Sequence, residues 1–515
     1  MRTVEESEAI PQDVETLRAM LAERDTEIAQ LREYIRLLKS QHFGATSERS
    51  HRAQLGLFNE AEALVGASDG ADEEPGIAVA AHTRTPRGRR PLPSWMPREE
   101  VLHDLPAAEK VCPHDGTALV EIGCEHTEQL EFVPATARVL VHVRPRYGCP
   151  TCKTGVHTAP LPPQPIPKSL ASPSLLAYVA VSKYADALPL YRQEQILERL
   201  GIDLSRATLA AWMVRCGELV QPLVNRMREE ILGSGFVQCD ETRFQVLKEP
   251  GKPAESLSYV WVQRGGSADH PLLLYEYDPS RSAEVPKRLF EGFQGVLQTD
   301  GYEGYGAIGR EPGIVHVGCW AHARRKFVDA LKGQSPGKGS RRKTRHSQAE
   351  AGLRFVQELY AIERRVRDAT AEERLRVRHA ESLPVVARLR AWVDHAREVV
   401  VPQSLTGKAV AYLDAQWPKL IRVFDYGFVP LDTNLVENAV RPFALGRKNW
   451  LFAETVAGAE ASANLYSIVE TAKANGLAPW AYLQHIFAEL PKARTLEEID
   501  ALLPDRVQLP GDGVR

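Results

Sequence analysis

The feature that most constrains the fold is an acidic residue inside an apolar, strand-like run, FVQCDET at residues 236–242. Phe236 and Val237 precede Asp240, and Phe244 resumes the apolar pattern after it, which predicts a central strand carrying one carboxylate. Burying an unpaired carboxylate costs several kcal/mol or raises its pKa. A bound divalent cation keeps such a group ionised, so we interpret Asp240 as a metal ligand.

Two further acids occur in comparable positions. Asp300 ends an apolar run in GVLQTDGYEGY and meets a glycine turn, and Glu437 lies near the start of a predicted helix in TNLVENAVRPFALGRKNW. Each acid also has a simpler interpretation. The aspartates can cap turns, and Glu437 can belong to a capping box opened by Asn434 or pair with Arg441 on an exposed helix face. The three together are harder to explain separately and favour one carboxylate site.

Length and composition narrow the class of protein. A chain of 515 residues predicts several domains. It lacks a run of about 18 apolar residues, and its acidic N-terminus is unlike a signal peptide. These two features predict a bacterial cytoplasmic protein with no membrane partner. Seven cysteines are too few and too uneven for a disulfide scaffold, and Cys216, Cys239 and Cys319 are interpreted as buried thiols. A net charge of −3 restricts nucleic-acid binding to local basic patches.

A heptad pattern near the N-terminus predicts a helix that pairs with a partner. Its residues alternate in steps of three and four: Val14, Leu17, Leu21, Arg24, Ile28, Leu31, Ile35 and Leu38. This choice of residues favours a parallel two-stranded coiled coil, with Arg24 setting register or partner number. The alternative is one amphipathic helix packed on its own protein.

Residues 66–100 have the composition of a flexible linker. Within it, TRTPRGRRPLP places Arg87, Arg89 and Arg90 around a glycine, a pattern suited to a narrow A·T-rich minor groove. The alternative is a solvated linker without a DNA contact.

Four cysteines between residues 112 and 152 indicate a small zinc-ribbon-like module. Cys149 and Cys152 form a CxxC pair, and Cys112 begins the other half of the ribbon. The fourth ligand is Asp115 by spacing or His114 by ligand preference, with Cys124 and His126 also open. The alternative is a metal-free β module with reduced cysteines.

The rest of the chain alternates helical and strand-like stretches. Residues 170–232 have a helix-turn-helix rhythm, with a turn at Gly201 and a second helix capped by Ser205. Five strand-like runs follow: FVQCDETRFQVL, SLSYVWVQRGG, PLLLYEYD, GVLQTDGYEGY and GIVHVGCWAHARRKF. Their order is typical of a ribonuclease-H-like sheet, and residues 331–430 then form an all-α insertion before Glu437.

Four basic residues near the acids are candidates for holding DNA. His322 and Arg325 follow the last strand-like run, and Arg441 and Lys448 follow Glu437. Their alternative interpretation is an ordinary solvated helix face.

Long motifs in a fixed order resemble the insertion sequence 66 family of DDE transposases. They are the heptads ending in FGATSER, then GRRPLP, YGCPTC, CDET, QTDGYEGY, CWAHARRKF and ENAVRPFALGRKNWLF. The resemblance implies a ribonuclease-H-like fold with a catalytic triad at Asp240, Asp300 and Glu437. At Asp115 the chain departs from many relatives, which carry a second CxxC cysteine, and this departure concerns the zinc module and not the nuclease site.

The expected fold class is therefore multidomain α/β with an all-α insertion in the catalytic core. The expected domains are a coiled coil (1–50), a basic linker (51–105), the zinc-ribbon-like module (106–160), the helix-turn-helix-like region (170–232), the catalytic domain (233–475) and a helical tail (476–515).

The expected activity is DNA transposition. The three acids suit two Mg²⁺ or Mn²⁺ ions, which promote attack first by water and then by the freed 3′-hydroxyl. The expected partners are the element's terminal inverted repeats, target DNA, a second copy of the chain and accessory proteins of the same element. One rival is a ribonuclease-H-like nuclease that cuts without joining; another is a non-catalytic zinc-ribbon DNA-binding or scaffold protein.

Overall fold

A mixed sheet of six strands forms the centre of the fold. The computed structural model describes residues 14–43, 98–99, 136–148, 156–334 and 347–509. The strands are β1 Arg146–Gly148, β2 Val156–Thr158, β3 Phe236–Lys248, β4 Leu257–Gly266, β5 Pro271–Asp278, β6 Gly295–Gln298, β7 Ile314–Val317 and β8 Ala453–Thr455.

Fifteen α-helices lie within the described ranges. They are α1 Val14–Phe43, α2 Pro173–Tyr184, α3 Leu190–Arg199, α4 Arg206–Leu219, α5 Gln221–Gly233, α6 Glu284–Leu289, α7 Trp320–Gln334, α8 Gln348–Arg365, α9 Ala371–Val377, α10 Leu383–Val399, α11 Leu405–Leu420, α12 Asn434–Trp450, α13 Val456–Ala474, α14 Pro479–Glu489 and α15 Leu496–Asp500. None of the helices in these ranges is both long and apolar enough to cross a membrane.

The strand order places β3 at the centre of the sheet. The order is β5-β4-β3-β6-β7, and β8 pairs with the far end of β3. β3, β4 and β5 form an antiparallel meander, whereas β6 and β7 run parallel to β3. The five runs predicted as strands correspond to β3 through β7, so this part of the prediction is confirmed. β8 has no counterpart among the predicted strands.

Both faces of the central strands are covered. Residues 237–239 of β3 are buried in succession, as a strand between two layers requires. α13 also protects the edge strand β5 by accepting its outward N–H groups. Ser467 Oγ accepts from Tyr275 at 2.8 Å, and Thr471 Oγ1 accepts from Leu273 at 3.0 Å. These bonds close an edge that would otherwise be open to strand pairing.

The helices before the sheet include the predicted helix-turn-helix. α3 and α4 are joined through Gly201, whose φ of +78° is a backbone conformation that favours glycine. The Ser205 hydroxyl caps α4 by accepting the Thr208 N–H at 3.2 Å. α4 packs so closely on α13 at Gly217 that a Cβ added there would lie 2.5 Å from Ala461 Cα. The inner face of α4 is thus used within the protein, and its DNA contact remains a prediction.

The segment between β7 and α12 is helical in its described part, which contains no strand. Its helices pack around Trp320 and Leu389 in one apolar core. Arg378, with no exposed surface, forms a bidentate ion pair with Glu363 at 2.7 and 2.8 Å. The ion pair ties α8 to the turn of π-helix that precedes α10.

α1 packs on its own chain with one face. Leu37 is buried against Leu405. The Tyr34 ring lies 4.7 Å from the Lys408 ammonium, and Glu33 Oε2 accepts the Leu405 N–H at 3.2 Å. The described apolar residues of the heptad are exposed: Leu21, Ile28, Leu31, Ile35 and Leu38. The helix is confirmed, whereas its pairing as a coiled coil stays a prediction.

The chain divides into two compact units. The larger contains the described residues of 14–43 and 161–507, and the smaller contains β1 and β2. β1 and β2 are antiparallel, with Tyr147 opposite His157, and Arg144 donates to the Ala159 carbonyl at 3.2 Å.

Candidate active site

The first acid lies on the central strand. Asp240 is opposite Val262 of β4, and its half-buried carboxyl accepts the Glu241 N–H at 2.9 Å. Pairing with β6 on one side and β4 on the other fixes the backbone of β3 that carries Asp240.

The second acid follows β6 in register with the first. Gln238 of β3 pairs with Gln298 of β6, so Asp240 and Asp300 each lie two residues further along parallel strands. Asp300 Oδ1 accepts the Tyr302 N–H at 2.8 Å. Asp300 therefore does cap a turn, and this cap lies at the same edge of the sheet as Asp240.

The third acid comes from the first turn of α12. Glu437 is 4% exposed, so its interpretation as an exposed partner of Arg441 is wrong. The capping box opened by Asn434 is also wrong, because the residue before the helix is Thr433 and its side chain makes no cap bond. The Thr433 hydroxyl instead donates to Glu437 Oε1 at 2.7 Å.

The electrostatics of Asp240 indicate that other acids lie near it. Burial raises the pKa of Asp240 well above its usual range, and the charges of Glu241, Asp300 and Glu437 raise it further, while His322 opposes them. Several carboxylates that destabilise one another's charge are stabilised by a divalent cation. Oxygen ligands suit hard ions such as Mg²⁺ and Mn²⁺, so this donor set fits the expected metal.

Glu241 is a fourth acid that the sequence prediction missed. Its side chain is 2% exposed, and Arg281 Nε donates to it at 2.8 Å while the Tyr305 hydroxyl donates at 2.6 Å. Burial raises the pKa of Glu241, with Tyr305 and Arg281 opposing. The Arg281 guanidinium also lies 3.9 Å from the centre of the Tyr302 ring. The sequence could have indicated Glu241 only through its position next to Asp240. Nothing in the sequence indicated that Arg281 would pair with it.

A cysteine and a histidine lie beside the third acid. Cys319, His322 and Glu437 have ligand atoms within 4.8 Å of one another, and His322 Nδ1 lies 3.8 Å from Glu437 Oε1. Burial and the charges of Glu437 and Asp432 raise the pKa of the Cys319 thiol, which favours the protonated form. A protonated thiol is a poor metal ligand. Cys319 is buried as expected, but its position next to Glu437 was not apparent from sequence.

The basic candidates are distributed over two helices. His322 and Arg325 are half-buried in the first two turns of α7, and Arg441 is half-buried one turn after Glu437 on α12. Lys448 is exposed in the last turn of α12. The structure thus brings His322 to the acids, and the contacts of all four with DNA remain predictions.

Two groups of predicted site residues fall outside the described ranges. The first is the zinc set with its alternatives: Cys112, His114, Asp115, Cys124, His126, Cys149 and Cys152. The second is the basic set: Arg87, Arg89 and Arg90.

Comparison with known proteins identifies the class: the chain is a member of a transposase family. It belongs to the IS66 family, because the model described as "Transposase IS66 family" matches residues 168–461. Three further family models match other parts of the chain. They are "zinc-finger binding domain of transposase IS66" at 109–153, "IS66 C-terminal element" at 467–504 and "Transposase C of IS166 homeodomain" at 30–101.

The chain is also similar to two bacterial proteins over nearly its whole length. The uncharacterized protein y4jD of Sinorhizobium fredii is 33% identical over 510 residues, covering 96% of this chain and 97% of the relative. The uncharacterized protein y4qI of the same organism is 32% identical over 509 residues, covering 96% of this chain and 91% of the relative. The matches run along nearly the whole chain, and DNA is the partner that membership of the family implies.

Proposed function

We propose that this protein binds the terminal inverted repeats of its element and catalyses metal-dependent cleavage and transfer of DNA strands, with Asp240, Asp300 and Glu437 as the catalytic acids. The observation that carries the proposal is the placement of the acids in a chain of the IS66 family: Asp300 follows β6 in register with Asp240, and the charges of Asp300 and Glu437 both raise the pKa of the Asp240 carboxyl.

The topology supports a ribonuclease-H-like catalytic core. Three antiparallel strands followed by two strands parallel to the first is the arrangement expected of that fold, and a helical segment precedes the third acid. In this arrangement residues 331–430 separate Asp300 from Glu437 in sequence, and the charges of both acids still act on Asp240.

In this proposal, Asp240 on β3, Asp300 just after β6 and Glu437 on α12 would hold the metal ions. When bound, Mg²⁺ or Mn²⁺ would activate the attacking oxygen and neutralise charge on the leaving 3′ oxygen. Water attacks first and breaks the phosphodiester bond at the element end. The freed 3′-hydroxyl then attacks target DNA, so one phosphodiester bond is exchanged for another.

The basic residues of α7 and α12 are proposed to hold the DNA. His322 and Arg325 lie on α7, the helix that begins directly after Cys319. We assign these two residues to the scissile phosphate because they are basic and because of this position. Arg441 and Lys448 are assigned to flanking DNA. Because these contacts are to phosphates, binding should weaken as salt increases.

Recognition of the element ends is proposed to use separate modules. Cys112, Cys149 and Cys152 would bind Zn²⁺ with Asp115 or another of the open ligands, in the range that matches the zinc-finger description. Arg87, Arg89 and Arg90 would follow the minor groove, and the exposed face of α4 would enter a major groove. Self-association through α1 would then join two ends, with accessory proteins of the element assisting.

The proposal is tested by strand cleavage. Full-length protein is incubated with labelled DNA carrying the ends of its own element, with and without Mg²⁺ or Mn²⁺. We expect metal-dependent nicking at the element end. Asp240→Asn removes one charged ligand and should reduce the rate at least 10³-fold, since such ligands act as a unit.

The matched control is Asp269→Asn, which makes the same change at an exposed position in the β4–β5 turn. It should cut like the wild type. Wild-type protein that binds element ends but never cuts them with either metal would contradict the proposal and favour a scaffold protein.

A further inference from the structure

The segment that leads into α12 is held to the sheet residue by residue. Each of residues 430–433 has a backbone hydrogen bond to the sheet or to the two residues at the start of α7, Cys319 and Trp320. The pairs are Gln298 Nε2 to Pro430 O (2.8 Å), Trp320 N to Leu431 O (2.9 Å), Gln238 Nε2 to Asp432 O (3.0 Å) and Thr433 N to Cys319 Sγ (3.3 Å). These bonds fix where α12 begins relative to β3 and β6.

Two buried glutamines connect this segment to the strands that carry the aspartates. Gln238 and Gln298 have no exposed surface, pair with each other in the β3–β6 register, and each lies two residues before an acid. Gln238 Nε2 also donates to Gln298 Oε1 at 2.8 Å. Hydrogen bonds thus join the start of β3, the end of β6 and the segment before α12.

Thr433 carries the connection to the third acid. It is 1% exposed, and its hydroxyl donates to Glu437 Oε1 at 2.7 Å. The same oxygen lies 3.2 Å from Cys319 Sγ. Cys319 Sγ accepts the Thr433 N–H at 3.3 Å and also lies within hydrogen-bond distance of the Thr433 hydroxyl, whose single proton can go to Glu437 or to Cys319. Cys319 thereby holds Thr433 in place beside Glu437.

We propose that Thr433 is a positioning residue that fixes the orientation of the Glu437 carboxylate for metal binding, with Cys319 orienting Thr433. This inference rests on the proposed function of Glu437 as a metal ligand. Groups that hydrogen-bond to a ligand orient it, and their loss weakens metal binding. A β-branched side chain suits this role, because its χ1 angle is restricted.

The experiment compares Thr433→Val, which keeps the shape and removes the hydroxyl, with Thr433→Ser, which keeps the hydroxyl. Mn²⁺ binding to the full-length protein is measured by calorimetry without DNA, and end cleavage is measured over a range of Mn²⁺ concentrations. We expect Thr433→Val to weaken Mn²⁺ binding about 10-fold or more and to require correspondingly more Mn²⁺ for cleavage. Thr433→Ser should restore both to within about threefold of wild type.

The matched control is Thr406→Val, which removes another buried hydroxyl, the acceptor of a Gln334 hydrogen bond at 2.8 Å in α11. It should leave Mn²⁺ binding unchanged. If Thr433→Val does not fold, Cys319→Val tests the same chain of contacts from its other end and should also weaken Mn²⁺ binding.

The possible failures are distinguishable. Wild-type Mn²⁺ affinity in folded Thr433→Val, or in Cys319→Val where that variant replaces it, overturns the inference and leaves the proposed function intact. Wild-type protein that never cuts element ends overturns the proposed function, while the calorimetry still tests whether Thr433 positions Glu437. Equal loss in Thr433→Val and Thr433→Ser also overturns the inference, since the hydroxyl is then not the group that matters.

Discussion

At the scale of single residues, His316 shows how burial sets a charge state in the sheet. Its side chain is 5% exposed on β7, and Nε2 lies 2.8 Å from Thr299 Oγ1. Burial, with Lys419 and Arg422 nearby, lowers the pKa of His316 to about 3. The imidazole is therefore neutral in the folded protein throughout the physiological range.

This lowered pKa predicts a loss of stability in mild acid. The unfolded chain takes up the His316 proton below about pH 6.5, whereas the folded protein does so only near pH 3, so acid favours unfolding over that window. Between pH 7 and pH 5 the effect is about 2 kcal/mol. His316→Gln should remove it, as measured by denaturant unfolding at both pH values.

The control for His316 is His395→Gln, at an exposed position on α10. That variant should keep the pH dependence of the wild type. An unchanged pH dependence in His316→Gln would show that this histidine is not held neutral by the fold.

At the scale of elements, local patterns predicted more than long-range contacts did. β3 through β7 were predictable because each contains a run of consecutive apolar residues bounded by turn residues. The start of α4 was predictable because Ser205 caps it locally. β8 was not, since three residues carry too short a pattern and only pairing with β3 makes them a strand.

The same distinction applies within the candidate site. The three acids could be proposed because each interrupts or ends an apolar pattern. The bonds of Gln238 and Thr433 could not, because their partners, Asp432 and Cys319, lie 194 and 114 positions away. Glu241 was overlooked because strand alternation assigns neighbouring residues to opposite faces, and its partner Arg281 comes from a distant loop.

At the scale of the whole molecule, α1 combines two surfaces. Glu33, Tyr34 and Leu37 pack on α7 and α11, whereas the described heptad leucines and isoleucines face outward. A second copy of α1 can therefore pair without displacing the intramolecular contacts. Pairing in this way would place the helical insertions of two chains beside the dimer axis.

This arrangement predicts separate effects for the two faces. Leu31→Glu places a charge in the exposed seam and should abolish self-association, measured by sedimentation, with the melting temperature unchanged. Leu37→Ala should preserve self-association and lower stability by about 2 kcal/mol, because Leu37 is buried on the other face. Leu31→Glu protein that remains associated would show that the heptad seam is not the interface.

The most direct test of the central claim is strand joining. DNA ending in the precut element end, with its 3′-hydroxyl free, is mixed with supercoiled target, full-length protein and Mn²⁺, and joined products are separated by size. We expect covalent joining of the end to the target by the wild type and none by Glu437→Gln. Wild-type protein that cleaves element ends but never joins them would be a nuclease and not a transposase.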